Sequence, residues 1–306
     1  MPVAKILRVY LDPEPLQRAR QGEFNFVNRI ASALEKRGFR IEYRRNSDLE
    51  RLASAARNGY ALFLMEDPLH DRALTIRRSY FYPFWRIEAS AKRWEFEVAR
   101  KDFDPSSIDP DVARSWADGW RKWLFKGAAS HVTRDGPIYV PLQGRLLQHR
   151  SFQAASPVEM VDQVATRFPD MPVLATLHPS ETYMQGERDA LDALGARHPN
   201  LTVTTGQMNE ALASCRFVVT QNSSAALFGY FFAKPAMLFG RVDFHHIAAN
   251  VHELGVQDAF DAVQSIAPDF DRYLYWFTMR NAIQADADDC EDQILRTLRK
   301  RGWQVD

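Results

Sequence analysis

Two short segments of the chain combine residue types that bind anions. Leu177-His178-Pro179-Ser180 follows an apolar run, and Gln221-Asn222-Ser223-Ser224-Ala225 separates a second apolar run from an apolar helical stretch. A histidine after a strand, with proline fixing the next turn, offers a ring N–H donor to an anionic oxygen. Asn222, Ser223 and Ser224 at a helix start add polar side chains to free backbone amides, an arrangement that holds an anion without a cationic side chain. Both segments also fit plainer roles, a turn after a strand and N-capping of the following helix. Glu66-Asp67-Pro68 puts two carboxylates where a third apolar run stops. A partly desolvated carboxylate suits a general base for a hydroxyl. Adjacent side chains at a strand end diverge, so only one of the two can serve. Asp67-Pro68 reads equally well as the start of a turn.

These residues need elements to position them. Residues 6–11, 41–43 and 61–65 read as strands, with helices at 24–34 and from Ser47 to about residue 59. That βαβαβ order predicts a parallel sheet. Residues 80–127 are rich in Trp and Phe, with helices expected over 87–100 and 112–125 around a break at 104–110. A strand at 138–140 resumes the sheet and ends at Gln143. A second alternation begins at the cap Ser156-Pro157. It places strands at 173–177, 201–204, 217–220 and 236–239, and everything from Pro268 onward reads as helical. The expected architecture is α/β with two Rossmann-type domains facing a cleft. Residues 1–155 form the first, with an aromatic helical insert at about 80–127, and residues 156–267 the second. Helices over 268–306 are expected to pack back across both. Ligands of open parallel sheets sit beyond the carboxyl ends of strands, so chemistry is expected at Glu66-Asp67, Gln143, His178-Pro179 and Gln221 to Ser224.

Composition narrows the function classes. A chain of 306 residues favours two domains over one core. Apolar residues at 46% and charged residues at 25% are ordinary for a globular protein and exclude disorder. Lysine plus arginine equal aspartate plus glutamate at 39 each, which argues against a nucleic-acid partner. Two cysteines, Cys215 and Cys290, are too few for a disulfide framework, so a reducing, cytoplasmic compartment is expected. The residues after Met1 lack the apolar core of a signal peptide. Lys234 and Pro235 interrupt the most apolar stretch, so no membrane-spanning helix is expected.

No Asp-x-Asp metal motif of the usual transferase type is recognised: Asp286, Asp288 and Asp289 lie in a C-terminal helical context and read as a solvated helix start, so no essential metal is expected. Adjacent His245 and His246 diverge and are read as structural. Trp116, Trp120 and Trp123 recur at helical spacing, which favours packing. Basic residues interleave them, which also suits peripheral contact with anionic lipid.

Taken together, His178-Pro179 and Ser223-Ser224, about 45 residues apart, belong to one sheet edge. With them come Val140-Pro141-Leu142-Gln143, Gln148 with Ser151-Phe152, the run from Val218 to Ser224, and Ala233-Lys234-Pro235. In these motifs, over about a third of the chain, the sequence resembles the capsular polysaccharide biosynthesis family of bacterial β-Kdo transferases. It is similar, more distantly, to bacterial sialyltransferases of GT-B fold.

The resemblance implies a glycosyltransferase using a CMP-activated keto sugar, CMP-Kdo foremost, on a glycolipid or oligosaccharide acceptor in capsule or surface-polysaccharide assembly. It implies no cofactor beyond that nucleotide sugar. His178 and Pro179 would contact CMP, Ser223 and Ser224 with Asn222 its phosphate, and Gln143 the cleft. Glu66 or Asp67 would work near the acceptor, with residues 1–155 as the acceptor-side domain and 156–267 as the nucleotide-binding one. One departure stands out. The family's Asp nucleophile, soon after the Pro-Leu-Gln segment, is absent, and Leu146 stands near its place. Leucine cannot be a nucleophile. Glu66 or Asp67 then acts directly, or the transferase works by single displacement, or the chain is an inactive binder of a sugar nucleotide or a partner. An epimerase or hydrolase acting on nucleotide sugars on the same scaffold is a further alternative.

Overall fold

Across residues 3–306, which the computed structural model describes, the chain forms two six-stranded sheets. The expectation of no signal peptide rests partly on Met1 and Pro2, which lie outside the described residues. The chain divides into two units. One comprises the residues through Lys101 together with Phe277–Asp306, and the other Asp102–Trp276.

The first unit holds strands β1 (Ile6–Leu11), β2 (Arg40–Arg45), β3 (Tyr60–Leu64), β4 (Ala73–Arg78) and β5 (Phe84–Glu88). The second holds β6 (Ile138–Pro141), β7 (Val173–Leu177), β8 (Leu201–Thr205), β9 (Val218–Thr220), β10 (Ala236–Leu238) and β11 (Ala249–Asn250). The last strand, β12 (Ile283–Gln284), returns to the first sheet.

In the first sheet the order is β12-β5-β4-β3-β1-β2. Strands β1 to β4 run parallel, while β5 and β12 are antiparallel to their neighbours. The helix Asn25–Glu35 lays Phe26, Val27, Ile30 and Leu34 onto this sheet's core, as its 3.6-residue apolar spacing requires. Ser47 caps the helix Asp48–Ala56, its hydroxyl accepting the Glu50 N–H at 3.2 Å.

The second sheet is wholly parallel, in the order β11-β10-β9-β6-β7-β8. Its core includes Ile138, Val140, Val173, Ala175, Val219 and Met237, all nearly inaccessible. A capping box joins Ser156 and Glu159 at the start of the helix Pro157–Arg167. The helix Pro110–Phe125 starts at Asp109, whose carboxylate accepts the N–H groups of Asp111 and Val112. Trp116 on that helix packs on Trp120, Phe231 and Tyr275, whereas Trp123 is 62% exposed. No helix among the described residues is long and apolar enough to cross a membrane.

Three expectations need correction. The first concerns the domain limits drawn at residues 155 and 267. The chain passes between units near Lys101 and again near Trp276. Strand β6, assigned to the first domain from its position in sequence, pairs with β7 and β9 in the second sheet. Second, residues 87–100 are not a helix. Ile87 and Glu88 end β5, and the remainder makes two 3-10 turns, Arg93–Glu95 and Val98–Arg100. Trp85-Arg86-Ile87-Glu88 alternates apolar and polar, but Arg86 and Glu88 are buried along with the apolar residues of β5. Third, the segment after Pro268 is not all helical, because β12 pairs Ile283 with Trp85 and Gln284 with Phe84. Beyond β12 comes the helix Cys290–Lys300, which buries Ile294, Leu295 and Leu298 in the first unit's core.

That last helix is also fastened by charge. Glu97 receives Lys300 at 2.6 Å and Lys101 at 3.0 Å, with Arg301 at 3.5 Å. Burial opposes the Glu97 charge, but the ammonium groups of Lys300 and Lys101 overcome it and hold the carboxyl at about 2, below its ordinary 4.5. A carboxyl depressed in the folded state stabilises the fold above its unfolded value and loses that contribution as pH falls through the folded value. Glu97→Gln should therefore lower the urea midpoint near neutral pH, and the gap to wild type should close between 4.5 and about 2. A gap that stays constant over that interval contradicts the assignment.

Candidate functional site

Three parallel strands of the second unit bring the sequence-predicted residues to one edge. Strand β6 lies between β7 and β9, with Tyr139 opposite Leu174 on one side and Val218 on the other. Their carboxyl ends therefore emerge together. Gln143 follows β6, His178 follows β7, and Gln221 to Ser224 follow β9. The outer two tips stand two strand spacings apart, roughly 10 Å. The turns at these tips hold His178 and Ser224 in different ways.

His178 and Pro179 are exposed. The His178 backbone N–H donates to the Tyr183 hydroxyl at 2.8 Å, and its ring Nδ1 accepts the Ser180 N–H at 3.2 Å. With Nδ1 occupied as an acceptor, the neutral ring carries its proton on Nε2 and offers a donor there. Ser223 is the N-cap of the helix Ser224–Phe231, its Oγ accepting the Ala225 N–H at 3.3 Å. The capping role expected for it is thus realised, and Ser224, half-buried at the first helical position, is the hydroxyl left over. Asn222 and Gln143 are half-buried. Gln221 is buried. Its amide donates to the Ala155 carbonyl at 3.0 Å, while its Oε1 has no hydrogen-bond partner.

Three further charged residues at this edge escaped sequence reasoning. Arg150 is half-buried, with its guanidinium 4.8 Å from the centre of the Phe152 ring. Burial, with the like charge of Arg145 added and Glu181 opposing, holds Arg150 below the usual guanidinium range. Its Nε is buried without a partner. Phe152 in turn fixes this loop to the tip of β10, because its carbonyl accepts the Arg241 N–H at 2.8 Å. Arg145 holds a left-handed backbone, φ 65°. Glu181 reaches back to the β6 tip, where its Oε2 lies 2.7 Å from the point a Cβ on Gly144 would occupy. No spacing rule marks these residues. Only the return of the 144–153 loop over the sheet edge gathers them.

Leu146 lies fully buried in the core of this unit. Its backbone N–H donates to the buried carboxylate of Glu187, which also accepts the Met184 N–H at 2.8 Å. The side chain at 146 is therefore packing, and a carboxylate there would be desolvated without a partner.

In the first unit, Glu66 pairs with Arg51 at 3.0 Å. Asp67 Oδ1 accepts the Ala91 N–H at 2.6 Å and the Ser90 hydroxyl at 3.4 Å, so it braces the turn after β5. His245 contacts Glu253 at 3.2 Å, and His246 Nδ1 meets the Tyr273 hydroxyl at 2.9 Å. Among the described residues, no group of three or more His, Cys, Asp or Glu side chains is arranged to hold a metal ion.

Two α/β units of this topology define a GT-B-like fold. Among solved structures, the chain is similar to KpsC of Thermosulfurimonas dismutans, a beta Kdo 2,7 transferase, with a TM-score of 0.56 at 10% identity, over 97% of this chain and 99% of that one. The S. aureus MnaA-UDP structure (TM-score 0.35, 12% identity, 96% of this chain and 95% of that one) is too distant to inform the site. The same holds for the Methanocaldococcus jannaschii UDP-GlcNAc 2-epimerase (0.36, 9%, 96% and 99%). No protein-family model matches the chain, and no curated protein matches it in sequence.

Two glycines separate rigid from yielding parts of this edge. A Cβ on Gly240 would meet the Gln221 carbonyl oxygen at 2.9 Å and the Phe152 ring at 3.2 Å, whereas one on Gly144 meets only the end of the Glu181 side chain. Gly240→Ala should cost ~1–3 kcal/mol in denaturant unfolding. Gly144→Ala should stay within ~0.5 kcal/mol, because Glu181 can swing aside. Equal costs would contradict this division.

Proposed function

We propose that the chain is a glycosyltransferase that takes a CMP-activated keto sugar, CMP-Kdo foremost, and transfers it to a hydroxyl of a glycolipid or polysaccharide acceptor in capsule or surface-polysaccharide assembly. The observation that carries this reading is the convergence of the His178 ring, Ser224 and the Arg150 loop on the tips of β7, β9 and β6. Departure of CMP leaves negative charge on its phosphate, and preorganised donors stabilise such charge. His178 Nε2–H, Ser224 with the helix start behind it, and Arg150 are donors of the required kind. Asn222, Gln143 and Pro179 would line the same nucleotide site.

In the transfer, the acceptor oxygen bonds to the anomeric carbon as the bond from that carbon to the phosphate oxygen breaks. The electron pair leaves with CMP, and the hydroxyl proton passes to a carboxylate. Glu66 or Asp67 is assigned that proton. Asp67 is spent on the turn after β5, which leaves Glu66, paired with Arg51, for the role. A second reading, in which Glu181 takes the role, is favoured by its approach to the β6 tip. The site would work in the cytoplasm. Exposed Trp123, flanked by Lys122 and Lys126, would supply any contact with the membrane surface.

CMP should raise the melting temperature more than UDP, GDP or ADP does. His178→Ala should weaken CMP binding at least about fivefold and Arg150→Gln about tenfold. Unchanged affinity in both variants removes the nucleotide assignment, and a preference for UDP points to an epimerase or hydrolase instead.

For the carboxylate, Glu66→Gln is expected to abolish sugar transfer from CMP-Kdo while leaving CMP affinity intact. Loss with Glu181→Gln instead moves the role to Glu181. Wild-type protein that binds CMP but releases none from CMP-Kdo with any acceptor is a binder rather than a transferase.

A further inference from the structure

The first unit carries a recess of about 440 Å³ that the transfer reaction does not use. Its walls come from β5, the turn Val98–Arg100, the π-helical turn Trp276–Arg280 where the chain re-enters this unit, and the helix Cys290–Lys300. π-helical turns are rare and are frequent at functional sites. Arg86, Lys101, Arg280, Arg296, Lys300 and Arg301 line the recess, and the only carboxylates among its lining residues are Glu88 and Glu97. Among the lining residues that leaves four more cations than carboxylates, with Arg296 also within 3.5 Å of Asp289 outside the recess.

Both carboxylates are already committed. Glu88 is buried and accepts Arg301 as well as the Glu97 N–H at 3.2 Å, and Glu97 takes Lys300, Lys101 and Arg301. Arg86 is buried as well. The Phe277 carbonyl accepts one of its N–H groups at 2.9 Å, the Asn281 carbonyl accepts another, and its guanidinium lies 4.6 Å from the Phe277 ring centre. Packing so many cations together is repulsive unless something offsets it. Two lining residues also hold buried donors with no acceptor, Trp85 Nε1–H and Arg301 Nε–H. Native interiors seldom leave such groups unsatisfied. Most of the lining residues are polar or charged, and of the large apolar ones only Met279 is exposed.

We propose that this recess binds a small molecule carrying several oxyanion groups, phosphate or carboxylate. The cations take the oxyanions. The site stands apart from the nucleotide assignment, since every lining residue belongs to the first unit.

Calorimetric titration with pyrophosphate and with citrate at low ionic strength tests it, using full-length protein that also carries His178→Ala and Arg150→Gln so that the edge of the second unit is disabled. At least one probe should bind, more weakly as salt is added. Adding Arg280→Gln and Arg296→Gln, both at exposed positions, should weaken it at least about tenfold. An unchanged melting temperature without probe shows that this variant is folded. A preference for pyrophosphate marks a phosphorylated ligand and a preference for citrate a carboxylated one, and either supports the site. Binding of neither probe, or equal affinity with and without the Arg280 and Arg296 changes, overturns it.

Discussion

A buried ammonium sets the frame on which the second unit depends. Lys234 is fully inaccessible, and it donates to the carbonyls of Thr133, Ala213 and Cys215. Thr133 precedes β6, Cys215 precedes β9, and Lys234 itself precedes β10, so one side chain draws together the starts of three adjacent strands. Burial lowers the affinity of Lys234 for its proton, and three carbonyl acceptors are what make a buried cation tolerable there. The same surroundings push the Cys215 thiol up to about 12, which leaves it inert at neutral pH. With the starts of β6, β9 and β10 fastened and all strands parallel, β6, β7 and β9 present their opposite ends together. The candidate site is the free end of a sheet whose other end is tied.

That arrangement explains which parts of the site were legible in sequence. His178 and Ser223-Ser224 stand at junctions where an apolar run changes period, and such junctions can be read locally. Within the same motif, Ser223 turned out to spend its hydroxyl on the cap, so the spare donor is Ser224. Arg145, Arg150 and Glu181 were not legible, because their company depends on how an irregular loop folds back. Gly144 leaves room for Glu181, and Phe152 holds the loop to Arg241. Nothing in residue spacing encodes either contact.

The fold divides in the same way. Strands β6 to β10 of the second sheet announced themselves as short, mostly apolar runs between helices, and the structure moves their limits by a residue or so. Strand β11 has two residues and no period to read. Strand β5 carries Arg86 and Glu88 into the interior, where each is answered by a partner distant in sequence, so its composition looks like that of a surface helix. The unit boundary was misplaced for a related reason. Strand β6 belongs with β7 and β9 by hydrogen bonding alone, and pairing partners more than thirty residues away are invisible to local patterning.

Leu146 turns a gap in a motif into a physical constraint. A nucleophilic carboxylate must be solvated or paired and must face the substrate, yet position 146 points into a closed apolar core with its N–H held by Glu187. Replacing the side chain alone would not restore a nucleophile, because the backbone that orients it is anchored from the helix Gln185–Arg197. Covalent chemistry at this position is therefore closed to the chain by packing as well as by residue type. The carboxylates assigned under the proposed function lie elsewhere: Glu181 on the rim, where it crosses Gly144, and Glu66 in the first unit, where Arg51 holds it. On the proposed function, a carboxylate of that kind would act on the proton of the incoming hydroxyl, and the sugar would pass in a single displacement.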